Sequence, residues 1–65
     1  MSKKQQEYLV KIIGDAIESL GEIPSGHLYA QVMNVISLTE YNEVIAILKE
    51  SGKVTERNYL LKWNK

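Results

Sequence analysis

The chain contains no cysteine, which excludes a disulfide framework and a thiolate site and makes a reducing compartment the simple expectation. It has a single histidine, His27. With no second histidine there is no H-x-x-x-H metal spacing, and no glycine-rich loop is present to cradle a phosphate. No apolar run approaches the roughly 18 residues of a membrane span, and the start "MSKKQQEYLVKII" lacks the unbroken apolar segment of a signal peptide. A charge excess is missing too, since 8 Lys and Arg balance 8 Asp and Glu. A dedicated nucleic-acid domain usually carries a clear basic excess, so the whole-chain charge weighs against one. These absences predict a soluble, cytoplasmic chain with no membrane partner, no cofactor and no metal.

What is present is globular in character. Hydrophobic residues make up 45% and charged residues 25%, unlike the low-hydrophobicity, high-charge profile of disorder. Sixty-five residues make one domain, 1–65, near the lower size limit for folding alone. A chain this small buries only about 60% of its unfolded surface, so nearly every large apolar residue is needed for the core. It also lacks room for a substrate pocket of the usual several hundred cubic ångströms. Ser25 stands near His27, but nucleophilic catalysis needs a base, an orienting acid and an oxyanion site brought together in space. Ser25 is better read as a helix cap and His27 as a first-turn surface residue. The chain is therefore read as non-enzymatic, with no small-molecule substrate.

The charges are segregated. Lys3, Lys4 and Lys11 against Glu7 leave residues 1–11 at plus two, and Lys53, Arg57, Lys62 and Lys65 against Glu56 leave residues 51–65 at plus three. Between them, Asp15, Glu18, Glu22, Glu40, Glu43 and Glu50 against Lys49 make residues 12–50 minus five.

Hydrophobic spacing divides the chain into elements. Tyr8, Leu9, Ile12, Ile13, Ala16, Ile17 and Leu20 recur at three and four, the face of an amphipathic helix over 4–20. Gly14 inside it costs up to about 1 kcal/mol against alanine, which suggests close packing there, and Gly21 supplies a left-handed stop. Pro24 biases Ile23 toward an extended conformation, and Ser25 is expected to cap a short helix over 26–34 with Leu28, Tyr29, Val32 and Met33 inward. Ser37 and Glu40 have the S-x-x-E spacing of a capping box, flanked by Ile36 and Tyr41 at the positions of a hydrophobic staple. The third helix therefore begins at Leu38, turns Leu38, Tyr41, Val44, Ile45 and Leu48 inward, and ends at Gly52. Beyond it the period becomes two. A hairpin turning at Arg57 and Asn58 would set Val54 opposite Leu61. Tyr29, Tyr41, Tyr59 and Trp63 are read as core or core margin, with Tyr59 and Trp63 sharing a strand face with Leu61.

The fold class is thus mainly α with a small β-hairpin, an α+β chain of three helices and a C-terminal two-stranded wing. This order, with "GEIPSGHLYAQVM" opening the second helix and "YNEVIAILKESGKV" leading from the third into the hairpin, resembles the winged helix-turn-helix family over nearly the whole length. The resemblance implies that Glu22 and Ile23 form a short strand joining the wing sheet, that residues 38–51 are a recognition helix, and that Arg57 and Asn58 are the wing tip. It also implies a small DNA-binding module, a transcriptional regulator of bacterial or phage type. Thr39, Asn42 and Lys49 would then meet double-stranded DNA in the major groove, with Lys53, Arg57 and Lys62 on phosphates. The alternative is a module on the same scaffold that binds a protein partner or itself. Contiguous basic charge around the wing and the first-helix N-terminus would favour DNA. An acidic third helix flanked by exposed apolar residues would favour a protein.

Overall fold

A computed structural model describes residues 3–64 of the chain. The elements run α1 (Lys3–Leu20), β1 (Glu22–Pro24), α2 (Ser25–Val32), α3 (Leu38–Glu50), β2 (Val54–Arg57) and β3 (Leu60–Trp63). The sheet is antiparallel, in the order β1-β3-β2. The architecture is mixed α+β, and the sheet has three strands where a two-stranded wing was expected. The third is β1. Pro24 has no amide hydrogen and holds Ile23 extended, so the segment suits an edge strand that pairs on one side only.

α3 follows its sequence signals closely. The Ser37 hydroxyl accepts from the Glu40 amide at 3.2 Å while the Glu40 carboxylate accepts from the Ser37 amide at 3.0 Å, closing the capping box. At the other end the Lys53 amide donates to the Leu48 carbonyl and the Gly52 amide to that of Lys49, a Schellman closure for which Gly52 takes φ +80°. Tyr41, Val44, Ile45 and Leu48 are buried, whereas Leu38 is exposed. In α2, Leu28 is buried, Tyr29 and Val32 are half-buried and Met33 is exposed.

Two expectations near Ser25 and along α1 are corrected. Ser25 makes no side-chain cap and is itself the first residue of α2. Its carbonyl accepts from the Tyr41 hydroxyl at 2.9 Å, which leaves the Ser25 hydroxyl to donate back across 3.3 Å. This ties α2 to α3, reinforced by tilted packing of the Tyr29 and Tyr41 rings at 5.0 Å. On α1 the buried arc is Ile13, Gly14 and Ile17, with Leu9 and Val10 packed at its margin, while Tyr8, Ile12 and Leu20 are exposed. Gly14 sits against side chains: a Cβ there would lie 3.3 Å from Leu48 Cδ2 and 3.7 Å from Trp63 Cζ3. α1 therefore turns its glycine toward α3 and β3, and that rotation carries Tyr8 and Ile12 outward.

The hairpin forms, with its turn one residue later than expected. Asn58 and Tyr59 are the turn, at φ 51° and 65°, so Val54 faces Trp63 and Glu56 faces Leu61. A pairing shift of two positions preserves which side chains point inward, and Val54 and Leu61 are both buried. Two-residue turns with both residues at positive φ match the twist of the strands, and asparagine tolerates that conformation far better than arginine. Tyr59 thus leaves the strand face assigned to it and stands 80% exposed at the tip. Its carbonyl accepts from the Ser25 amide at 2.6 Å, satisfying a donor that the first turn of a helix leaves open.

Tyr59→Gly creates the Asn-Gly pair that this turn favours while removing a side chain that is mostly in solvent. It should raise stability by about 0.5–1 kcal/mol in a urea melt. A loss of stability would mean that the tyrosine ring, rather than its carbonyl, holds the tip.

Candidate interaction surface

The residues proposed for DNA contact are dispersed. Thr39 and Asn42 are exposed on the N-terminal half of α3. Lys49, two turns after Asn42 on the same edge, is engaged by the Glu56 carboxylate at 3.0 Å, an exposed pair worth at most about 1 kcal/mol. Lys53 lies at the opposite end of the hairpin from its tip, in a groove with Glu7, Lys11, Asp15 and Trp63. Arg57 and Lys62 alternate with inward-facing Glu56 and Leu61, so they stand on the outer face of the sheet, and Lys62 is directly opposite Glu22. Each of Lys49, Lys53 and Lys62 therefore has a carboxylate on its paired or neighbouring element.

The outward stripe of α3 is acidic. Thr39, Glu43, Ala46 and Glu50 lie opposite the buried face, and Glu43 and Glu50 are exposed. Glu40 is also anionic: the amide and hydroxyl of Ser37 hold its carboxyl below the ordinary glutamate range. Burial, by contrast, pushes the Tyr41 hydroxyl up, keeping it a neutral donor to Ser25.

A second surface was missed by reading the sequence. Tyr8, Leu9, Ile12, Val32, Val35 and Ile36 line a groove of about 350 Å³ between α1 and the α2–α3 connection, an open surface cleft where the chain's small size was expected to leave no space of several hundred cubic ångströms. Tyr8 is 64%, Ile12 42% and Val35 75% exposed at its rim. A signal for it existed in the apolar positions of α1. From Tyr8 round to Ile17 they span about half of the helix circumference, wider than the arc of about 100° that a surface helix needs for its core. The surplus had to face something else.

The capping box makes a pH-dependent contribution whose sign is fixed. Glu40 titrates lower in the folded chain than in the unfolded one, so its contribution is complete above the free carboxylate range and is lost as pH falls through the folded value. Glu40→Gln keeps an acceptor for the Ser37 amide and removes the titration. The difference between parent and variant in urea midpoint should be constant near neutrality and narrow in acid; a difference independent of pH would remove the charged cap from the account.

The chain matches no family model, no curated protein and no solved structure.

Proposed function

We propose that the chain is a non-catalytic protein-interaction module on a winged helix-turn-helix scaffold, acting through the apolar face of α1 and the α2–α3 connection. The scaffold reading is supported by the element order and by β1 joining β3. One observation carries the functional reading: three large apolar side chains, Tyr8, Ile12 and Val35, are left substantially exposed around a single groove. Leu20, Met33, Leu38 and Tyr59 are exposed as well, but Tyr8, Ile12 and Val35 are the ones gathered round one groove, and clustered exposure marks contact with another protein. The acidic stripe of α3 points the same way, because exposed carboxylates beside phosphate are repelled.

A duplex-DNA reading is favoured by one specific feature. Thr39 and Asn42 are exposed on the N-terminal half of α3, and the hairpin tip that follows Arg57 is held toward that half, because the Tyr59 carbonyl accepts from the Ser25 amide and the Tyr41 hydroxyl donates to the Ser25 carbonyl. Such a module would be a transcription regulator with few phosphate contacts.

Titration of the whole chain against random duplex at low salt separates the two. The interaction-module reading expects no binding at tens of micromolar protein, whereas even three or four phosphate contacts would give a salt-sensitive shift. A shift abolished by Arg57→Ala would overturn the proposal in favour of DNA. A second arm probes the apolar face itself. Tyr8→Gln and Val35→Ser should each change unfolding stability by no more than about 0.5 kcal/mol, as for surface positions; losses of about 2 kcal/mol or more would make these side chains part of the core.

A further inference from the structure

We infer that the partner at this face is a second copy of the chain, packed with its α1 antiparallel to the first. The inference rests on the protein-interaction reading and adds the identity of the partner. A two-fold interface must be complementary to itself, so each copy has to present both halves of every contact. The α1 face does so. Tyr8 and Ile12, one helical turn apart, form its apolar centre, with Lys4 before them and Asp15 and Glu18 after them.

An axis passing between Tyr8 and Ile12 would set each against the other residue of the second copy. The same axis brings Lys4 within reach of Asp15 and Glu18 of that copy, twice over by symmetry. Lys4, Asp15 and Glu18 lie on one edge of the stripe, and same-edge positions are the ones that meet between antiparallel helices. Lys11 lies on this edge near the axis, where it would face its own counterpart in the second copy, and Asp15 of its own helix one turn away is the carboxylate that offsets that repulsion. A parallel two-fold arrangement would instead set this charged edge against the uncharged edge of the second copy and make none of these contacts. The other edge is free of charge: Gln5, Val32 and Val35 wall the groove there, and an incoming tyrosine ring from the second copy suits a lining that is apolar apart from Gln5. Zero net charge leaves no long-range repulsion to overcome.

The exposed apolar area amounts to a few side chains, well below the roughly 800 Å² per partner of a standard interface, so the pair should be weak and reversible, dissociating in the micromolar range. Sedimentation equilibrium of the whole chain over a wide concentration range at low salt reads this directly. Lys4→Glu and Asp15→Lys should each weaken self-association about tenfold or more, since the first turns four attractive contacts into repulsive ones and the second two. Mixed one to one, the two variants should associate more tightly than either does alone, because the mixed pair regains both contacts between positions 4 and 15, one as in the parent and one with its signs exchanged, with only Glu18 left facing a like charge. A parent chain that stays monomeric throughout overturns the proposal while leaving the absence of DNA binding and the dispensability of Tyr8 and Val35 for folding as separate results. A dimer indifferent to both substitutions, or one that the mixture fails to strengthen, overturns it as well.

Discussion

The backbone of β3 is the constraint on which the rest of the structure depends. It pairs on one side with β1 and on the other with β2, and Leu61 at its centre is fully buried. Its ends also fix the helices. The Trp63 amide donates to the Gly21 carbonyl just past α1, and the Tyr59 carbonyl before the strand accepts from the first amide of α2. Ile23 and Leu61 face each other across 38 positions of sequence, so this pairing closes most of the chain into one loop. Closure of that length costs only slowly growing entropy, and here it is offset by burying Ile23, Val54 and Leu61 under α1 and α3.

Local chemistry was legible and long-range geometry was not. Ser37, Glu40 and Gly52 define both ends of α3 through hydrogen bonds within a few residues of themselves, and such signals survive any tertiary arrangement. The extended bias at Ile23 was likewise readable, and Glu22 and Ile23 were expected beside the hairpin, where they pair with Lys62 and Leu61. The rotation of α1 was not readable, because it is decided by how closely Gly14 approaches Leu48 and Trp63, contacts that exist only after folding. The hairpin turn slipped for a related reason. Alternation alone permits any register that keeps Val54 and Leu61 inward, and the choice fell to the residue best able to take positive φ first, Asn58. Of the six residues expected at DNA, Thr39, Asn42 and Lys49 are on α3 and Lys53, Arg57 and Lys62 are divided between the two ends and the outer face of the sheet.

Size ties the fold to the proposed function. Sixty-five residues have little apolar surface to spare, yet the structure leaves Tyr8, Ile12 and Val35 outside a core in which every described buried side-chain polar atom has a partner. The core is satisfied without them. Their exposure then asks for a partner, and the segregation of lysines and carboxylates along α1 supplies a reason for that partner to be the same helix reversed. The mid-chain acidity that made DNA an awkward ligand is the same feature that gives α1 a negative C-terminal half.

The most direct test of the account is a dilution series followed by amide chemical shifts, from millimolar to micromolar chain. The account predicts shifts confined to the Tyr8 and Ile12 face of α1, with Lys4, Asp15 and Val35, while Thr39, Asn42, Lys49 and the hairpin stay still. Shifts centred on α3 or the hairpin, or no shift at any amide, would contradict it.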